Sequence, residues 1–218
     1  MQIKPVGTAK KTRRRLQNPN PESAARILDA ATALLREADF PQLRVEEVAT
    51  RAGVSVGTFY LYFDGKDDLF VQLVVQHTEE LRGRLRAAYA SPGPFTARMD
   101  RALEAYLDFV EENQAGFLYF RDGGTVDTTV GRLSTWAADQ HATDLCPILD
   151  EAMEAGEIRR CDAMLLAQAT IGVVQHLAGF WAEHREHCSR RTLHRFINET
   201  TMFGSAVRSP SPDRATRR

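Results

Sequence analysis

Residues 45–63 read VEEVATRAGVSVGTFYLYF, and this stretch decides the fold of the N-terminal part of the chain. Gly53 interrupts its helical pattern and separates two short helices. Ser55 is placed to cap the second helix, on which Phe59 and Phe63, four residues apart, lie on the buried side. Two short helices joined in this way predict a helix-turn-helix, whose second helix fits the major groove of DNA.

Helical patterns continue on both sides of this motif. Residues 20–22, Asn-Pro-Glu, form a strong helix start, with a capping residue, a proline at the first helical position and an acid facing the helix dipole. Apolar residues recur at helical spacing over 27–35, and a turn at 64–65 precedes a long further helix. Residues 20–65 are therefore predicted to form a compact three-helix unit, preceded by a disordered basic arm over 1–19.

The rest of the chain shows the same helical periodicity and no persistent strand-like alternation. A break at 91–94, Ser-Pro-Gly-Pro, precedes further predicted helices. These helices span about 95–112, 113–121, 128–154, 162–187 and 190–207, with Asp162 placed to cap the fourth of them. The sequence therefore predicts an all-α fold of about nine helices, followed by a disordered tail over 208–218.

The composition is that of an ordinary globular protein, with 43% hydrophobic and 26% charged residues in 218. No apolar run is long enough to predict a membrane span, and the basic N-terminus lacks the apolar segment of a secretory signal. The three cysteines, Cys146, Cys161 and Cys188, are too widely spaced to suggest a disulfide framework or a zinc site. A cytoplasmic protein with reduced thiols and no cofactor is therefore expected.

The net charge of −1 hides a strong asymmetry along the chain. Residues 1–20 hold six basic residues and no acid, residues 204–218 hold four basic residues and one acid, and the body between them carries the remaining −10. An acidic body with a basic arm is attracted to nucleic acid only where the arm and one surface are presented. A solvated tail without a partner is the alternative. The arm residues predicted to contact DNA are Lys10, Lys11, Arg13, Arg14 and Arg15.

Two stretches are specific enough to indicate a family. RILDAATALLREADF at 26–40 and VEEVATRAGVSVGTFYLYFDGKDDLF at 45–70 resemble the DNA-binding domain of the Tet repressor family. The close match covers about residues 24–70, and the remainder agrees in helix count and length. The resemblance implies a homodimer whose N-terminal helices bind double-stranded DNA at a palindromic operator. It also implies that residues 66–207 bind a small-molecule effector and form the dimer.

The family's DNA contacts carry over to this chain position by position. By the resemblance, Tyr60 reaches a base or a phosphate, Thr58 and Tyr62 bond the phosphate backbone, and Lys66 pairs with a phosphate. Packing on the protein surface is the alternative role of the two tyrosines. The full set of predicted contacts is Arg44, Ser55, Val56, Gly57, Thr58, Tyr60, Tyr62 and Lys66.

Two departures from the family pattern change the expected roles. Arg44 stands where family members usually have Thr or Ser, and because Arg is a poor cap we interpret it as a phosphate contact, with an ordinary solvated side chain as the alternative. Val56 stands where the family often has Lys or Arg, so the recognition helix is uncharged, and residues 21–66 carry a net charge of −2. Base recognition is therefore expected to depend on Tyr60 and Val56, with attraction supplied by the arm and Lys66.

The C-terminal half offers bulky side chains for an effector cavity and no catalytic motif. The predicted lining residues are Tyr106, Phe109, Phe117, Phe120, Trp136 and His176. Further candidates for orienting a polar group are Arg121, Asp139, His141 and Gln175. So many bulky side chains favour a small apolar or aromatic effector, whereas ordinary core packing is the alternative for each of them.

The last two predicted helices are candidates for the dimer interface. Gly172 and Gly179 leave room for a close helix approach, and the final helix has a regular apolar stripe. The predicted interface residues are Gly172, Gly179, Leu193, Phe196, Ile197 and Phe203. Packing of both helices inside one subunit is the alternative.

Other functions find less support in the sequence. His184, His187 and Cys188 have a spacing compatible with a metal, but histidines also suit a helix C-terminus, and no metal site is expected. A helix-turn-helix used as a protein-interaction scaffold leaves the basic arm and the tyrosines unexplained. An enzyme built on His141 and its neighbours has no supporting motif. The sequence favours a DNA-binding transcriptional regulator, with repression as the expected outcome.

Overall fold

The computed structural model describes residues 21–36, 42–114, 117 and 129–200, and within these ranges it contains eight helices and no strand. The helices are α1 Pro21–Leu35, α2 Val45–Ala52, α3 Val56–Tyr62, α4 Lys66–Tyr89, α5 Phe95–Glu112, α6 Thr129–Glu154, α7 Ala163–Glu183 and α8 Arg190–Thr200. The predicted all-α fold is confirmed. The predicted arm and tail, most of the predicted helix at 113–121, and Phe120, Arg121 and Phe203 lie outside the described residues.

Local signals in the sequence fix the ends of several helices. The Ser55 side chain accepts a hydrogen bond of 3.0 Å from the backbone N–H of Thr58 and so caps α3. Asp162 caps α7 in the same way, with a bond of 2.9 Å from the N–H of Leu165. Gly53 ends α2 in the left-handed conformation, with a φ of 65° that favours glycine.

The end of α7 differs from the prediction. The sequence predicts a helix to residue 187, but α7 ends at Glu183, and the backbone N–H of His184 donates to the carbonyl oxygen of Phe180 at 2.9 Å. The segment EHREH at 183–187 contains no apolar residue that could hold another turn against the core. His184 and His187 therefore lie in the turn between α7 and α8, not on one helix face.

Two apolar cores lie along the chain, and α4 contributes to both. The N-terminal core joins α1, α2 and α3 around the fully buried Ile27, Val48 and Phe59, and it includes the first turns of α4 through Val74. The C-terminal core starts at Leu81 of α4 and continues through α5 to α8. Because α4 is one continuous helix, it joins the two cores directly.

Ion pairs fix the C-terminal half of α4 against its neighbours. Arg82 binds both carboxylate oxygens of Asp144 on α6, at 2.7 and 3.1 Å, and Arg86 binds the same carboxylate at 2.9 Å. Although burial opposes ionisation, these hydrogen bonds hold the pKa of Asp144 below its usual value. Arg84 pairs with Glu112 of α5 at 2.6 Å. Since Arg82 and Asp144 are largely buried, their bidentate pair couples α4 to α6 more firmly than an exposed pair does.

Candidate DNA-binding surface and effector cavity

The exposed side of α3 carries uncharged side chains. Val56 and Tyr60 are four residues apart on this side, and Tyr60 is 39% exposed. Phe59 and Phe63 pack into the N-terminal core, with ring centroids 5.4 Å apart. Leu61, which is 48% exposed, enlarges the apolar part of the surface and was not among the predicted contacts. The surface suits contact with base edges and methyl groups better than charge attraction.

Two hydroxyl groups pair at the N-terminus of α3. Ser55 Oγ and Thr58 Oγ1 are 2.8 Å apart, in addition to the capping bond from the N–H of Thr58. One of the two hydroxyl protons is used in this pair, so the other can be donated to a phosphate oxygen. A Cβ on Gly57 would meet Ser55 Oγ at 3.6 Å, an ordinary contact. Packing within the subunit therefore does not require glycine there, and the small residue leaves room for a DNA backbone.

Arg26 of α1 holds the turn of the helix-turn-helix. Its guanidinium donates to the carbonyl oxygens of Ala52 and, at 3.0 Å, of Gly53. A Cβ at position 53 would lie 2.6 Å from Arg26 Nη2, so the close approach and the positive φ both favour glycine. No local pattern identifies Arg26, because 27 residues separate it from Gly53 along the chain.

The remaining predicted contacts lie at the ends of the short helices. Arg44 precedes α2 in an extended conformation, is exposed and makes no capping hydrogen bond. Tyr62 is half-buried and packs against the N-terminal core, so only part of its ring faces outward. Lys66 is the first residue of α4 and is followed by Asp67 and Asp68. These acids reduce the local positive charge around Lys66.

A cavity of about 90 Å³ lies where the two cores meet. Side chains of α1, α4, α5, α6 and α7 form its mostly apolar wall; α1 contributes Thr32 and Leu35, and Arg36 lines the cavity directly after the end of α1. Ligand pockets are commonly about 300–1,000 Å³ in volume. A ligand of ordinary size must therefore spread the surrounding helices when it binds.

The cavity contains part of the predicted lining. Tyr106, Phe109 and Phe117 lie in its wall. Trp136 and His176 do not, and this part of the prediction is wrong, because each is one residue away from a lining residue and one helical step turns a side chain by about 100°. His176 is exposed on the far side of α7. Of the polar candidates, His141 and Gln175 line the cavity, whereas Asp139 is exposed.

His77 connects α1 to α4 at this cavity and was missed from the sequence. Its Nε2 lies 3.5 Å from Thr32 Oγ1, and its ring meets that of Phe109 edge-on, with centroids 6.1 Å apart. Burial lowers the pKa of His77 below its ordinary value, so the ring is neutral at neutral pH. Only the crossing of α1 over α4 brings Thr32 and His77 together, and that crossing has no sequence signature.

A second cavity, of about 60 Å³, adjoins the first. The two share Tyr106, His141 and Gln175, so these side chains form the wall between them. The second cavity extends among α4, α5, α6, α7 and α8 and includes Thr170 of α7.

One face of α7 is exposed and mostly apolar or small. The exposed residues recur every three or four positions, and Leu165 at one end is 70% exposed. We name this face the α7 stripe. It consists of Leu165, Ala169, Gly172, His176 and Phe180. Within the described ranges, α7 is the one helix that is long and apolar enough to cross a membrane, judged by length and composition alone. Only 28% of its most apolar stretch of 18 residues is buried in the subunit.

The structure corrects the predicted dimer interface. Leu193 and Ile197 of α8 are buried in the C-terminal core of their own subunit, because the apolar stripe of α8 faces inward. Gly179 is also buried. Gly172 and Phe196 are exposed, and Phe196 is 51% exposed. Among the described residues, Gly172, which lies in the α7 stripe, and Phe196 are therefore the part of the predicted interface that a partner can reach.

Two family models match this chain. The one described as "Bacterial regulatory proteins, tetR family" matches residues 27–73, and the one described as "Tetracyclin repressor-like, C-terminal domain" matches residues 96–202. The protein belongs to the Tet repressor family. It is therefore a helix-turn-helix transcriptional regulator that binds DNA, as the resemblance of residues 24–70 predicts.

Relatives and solved structures in this family are similar over most of the chain. The HTH-type transcriptional activator FasR of Mycolicibacterium smegmatis is 25% identical over 167 residues, which cover 75% of this chain and 74% of FasR. A structure of a TetR-family regulator from Rhodococcus sp. has a TM-score of 0.72 and 21% identity, covering 87% of this chain and 100% of that chain. FadR from Bacillus subtilis, solved in complex with stearoyl-CoA, has a TM-score of 0.67 and 20% identity, covering 80% and 94%. These structures share the Tet repressor fold.

The titration of His141 at the cavity wall leads to a testable prediction. Burial lowers its pKa to about 4, from 6.5 for an unperturbed histidine; Asp144 and Glu79 oppose this shift, and Arg82 and Arg86 add to it. The unfolded chain therefore takes up a proton at a higher pH than the folded chain. The contribution of neutral His141 to the free energy of unfolding is fully present above pH 6.5 and is lost as the pH falls towards 4. We expect this residue to account for about 3 kcal/mol of the loss.

Denaturant unfolding of the wild type and of His141→Leu, from neutral pH down to about 4, measures this contribution. The variant should lose about 3 kcal/mol less stability than the wild type over this range. His187→Gln, at an exposed position, should follow the wild type. Equal pH dependence of the wild type and His141→Leu would contradict the prediction.

Proposed function

We propose that this protein is a homodimeric repressor that leaves a palindromic operator when a small apolar effector binds in the cavity between its two cores. The cavity wall carries this proposal, because the DNA-binding unit contributes Thr32 and Leu35 of α1, and Arg36 directly after it, to the wall. An effector in this position contacts the DNA-binding unit and, at the same time, the helices behind it. Its binding energy can therefore act on α1 directly.

The small volume of the cavity suggests how binding is coupled to DNA release. An effector that needs more than about 90 Å³ must move α1 and α4 away from α5, α6 and α7. Because Arg82 holds the C-terminal half of α4 to Asp144 of α6, the movement falls on the N-terminal half of α4, which lines the cavity and packs against the helix-turn-helix. A coupling free energy of about 1–3 kcal/mol changes operator affinity roughly 5–150-fold.

The cavity wall also supports a class of effector. Phe70, Leu73 and Phe109 make it mostly apolar, and Arg36 lies at an exposed part of it, where a guanidinium can pair with an acidic group. FadR from Bacillus subtilis, which has the same fold, was solved with stearoyl-CoA. We therefore propose a long apolar molecule, such as an acyl chain, with an acidic end near Arg36.

On the DNA side, specificity and attraction are assigned to different groups. Tyr60 and Val56 contact base edges, with Leu61 beside them, because these side chains form the exposed face of α3. The phosphate backbone is bound by Arg44, Ser55, Gly57, Thr58, Tyr62, Lys66 and the basic side chains of residues 10–15.

The two subunits associate through the α7 stripe and Phe196. The stripe leaves mainly apolar or small side chains in water on a monomer, which favours burial against a second copy. A two-fold dimer places two recognition helices about 34–36 Å apart, one turn of DNA, and so matches a palindromic operator.

Two observations in solution separate this function from its alternatives. Binding of DNA fragments selected from random sequence, measured by gel shift, excludes a helix-turn-helix scaffold that binds only proteins. Repression is proposed because an operator-bound dimer over a promoter excludes RNA polymerase. Since the relative FasR is named an activator, a promoter–reporter assay with and without the regulator tests this direction.

Removing residues 1–15 should weaken DNA binding and flatten its salt dependence. The deletion removes six basic residues, each of which can release a counterion from a phosphate. The slope of log K against log salt should therefore become shallower by up to about 5 for each subunit bound to the operator. Fluorescence anisotropy with the selected operator at several salt concentrations measures the slope.

The control for this deletion is removal of residues 1–9, which takes away only Lys4 among the basic residues. This shorter deletion should change the slope of log K against log salt by at most about 1 for each bound subunit. If the longer deletion leaves the slope unchanged, the arm is a solvated tail and the attraction comes from elsewhere.

A further inference from the structure

The wall shared by the two cavities consists of three residues with polar groups, Tyr106, His141 and Gln175. Tyr106 and His141 line both cavities, and Thr170 lines the second with them. The rest of the second cavity is mainly aliphatic, with side chains such as Leu103, Leu145 and Val174. An apolar molecule lying through both cavities must pass the polar side chains of Tyr106, His141 and Thr170.

All three polar side chains have a buried atom without a hydrogen-bond partner in the described part of the chain. The atoms are the Tyr106 hydroxyl, His141 Nδ1 and Thr170 Oγ1, on residues that are each 7% exposed. Buried polar atoms are rarely left unpaired, because each forfeits its hydrogen bonds to water. Three of them in the wall of one cavity indicate a position where a ligand group completes the hydrogen bonding.

The charge of these groups limits the chemistry of the ligand. Burial lowers the pKa of His141 to about 4 and raises that of Tyr106, so both are uncharged at neutral pH. The ionised groups that act on His141 are Asp144, Arg82, Glu79 and Arg86, two acids and two bases, whose charges balance. An ion at this position would be desolvated without a counter-charge, whereas an uncharged polar group would not.

The number of donors and acceptors favours oxygen. A ligand hydroxyl can accept hydrogen bonds from Tyr106 and Thr170 and donate its own proton to His141 Nδ1. A carbonyl oxygen can accept from two of the three groups. A hydrocarbon chain satisfies none of them.

Building on the effector-binding function proposed above, we propose that the effector carries an uncharged oxygen, as a hydroxyl or a carbonyl, part-way along its apolar body. This oxygen binds between Tyr106, His141 and Thr170, and the apolar body continues on both sides of it into the two cavities. The wall thereby selects an oxygenated molecule over an unmodified acyl chain.

The test uses the full-length protein and a set of fatty acids that differ only at one position. The probes are stearate and its positional hydroxy and oxo derivatives, and affinity is measured by isothermal titration calorimetry. We expect at least one oxygenated isomer to bind about tenfold more tightly than stearate, since it satisfies two or three hydrogen bonds that stearate leaves unmade.

Two conservative variants and a control identify the residues responsible. Tyr106→Phe and Thr170→Val should each reduce the advantage of the oxygenated isomer about fivefold, because each lowers the affinity for that isomer more than the affinity for stearate. Each should also raise the melting temperature of the unliganded protein by about 2–4 °C, because an unpaired buried hydroxyl is removed. Tyr89→Phe removes a hydroxyl from the second cavity that is not one of the unpaired atoms, and it should leave the advantage intact.

Several results would overturn this proposal. One is equal affinity for stearate and every derivative, and another is the absence of binding by any probe. A third is that Tyr106→Phe lowers the affinity for stearate and for the oxygenated isomer by the same factor. Measuring operator affinity in the presence of each probe distinguishes a failure of the oxygen site from a failure of the proposed function. Discrimination without any change in DNA binding supports the oxygen site and contradicts the coupling to DNA. Equal release of DNA by stearate and all its derivatives would support the coupling to DNA and contradict the oxygen site.

Discussion

Replacing Phe59 by alanine should unfold the DNA-binding unit, whereas Tyr60→Phe, at the next residue, should leave it folded. Phe59 is fully buried in the N-terminal core and packs on Phe63. Removing a buried phenylalanine ring costs about 3–5 kcal/mol, a large part of the roughly 5–15 kcal/mol that stabilises a typical domain. The seven residues of α3 cannot form a stable helix without this anchor.

Hydrogen exchange followed by mass spectrometry can locate the effect. In Phe59→Ala, amides of α2 and α3 should exchange faster, while those of α5 and α7 keep their protection because they belong to the C-terminal core. Specific DNA binding should be lost. Unchanged exchange in α2 and α3 together with wild-type DNA affinity would show that Phe59 does not anchor the recognition helix.

Tyr60→Phe is the matched control for stability and a test of recognition. Tyr60 lies on the exposed side of α3, so the variant should change stability by less than about 0.5 kcal/mol. If the hydroxyl reads the operator, specific binding should weaken by about 1–3 kcal/mol while binding to scrambled DNA stays the same. Wild-type affinity for both DNAs would remove Tyr60 from base recognition.

The features that the sequence predicts well depend on short-range interactions. The separation of Phe59 from Tyr60 follows from helical periodicity over a few residues. The caps at Ser55 and Asp162 need only the backbone of the following turn, and Gly53 needs only its own φ. Each of these signals lies within the element that it specifies, so it can be read without knowledge of the tertiary structure.

The cavity and the α8 interface depend on how helices cross, and here the sequence predicts less. An apolar stripe shows that a helix buries one face but not which neighbour covers it, so Leu193 and Ile197 were assigned to a partner subunit although they pack in their own. The sequence assigns both His176 and the adjacent Gln175 to the cavity, but one helical step separates their directions, and only Gln175 lines it. Contacts of α1 with α4, such as Thr32 with His77, join segments far apart in the chain.

The basic charge of the arm and the apolar face of α7 both make specific DNA binding depend on dimerisation. The described DNA-binding unit has few cations of its own, so one subunit on a single half-site gains little electrostatic attraction. In the dimer proposed above, two subunits joined through α7 would present two arms and two recognition helices to one operator. Specific affinity should therefore depend on dimerisation more strongly than it would with a basic recognition helix.

Introducing charge into the α7 stripe should produce a monomer that has lost specific DNA binding. In Leu165→Asp combined with Phe180→Asp, the replaced side chains are 70% and 38% exposed and belong to neither apolar core, so the fold of the subunit should be retained. In a dimer the same carboxylates would be buried without partners, which strongly opposes association. Since non-specific complexes are typically at least about 10³-fold weaker than specific ones, operator affinity should fall by about 100-fold or more.

Mass measurement in solution and DNA binding together decide this prediction. Light scattering should give a mass near 24.4 kDa for the double variant and twice that value for the wild type. Met164→Asp is the control, because Met164 is also exposed but lies about 100° around the helix from Leu165, away from the stripe. It should remain dimeric and bind the operator normally. A double variant that stays dimeric would mean that the subunits associate elsewhere, and a monomer with wild-type affinity would mean that one recognition helix and one arm are enough.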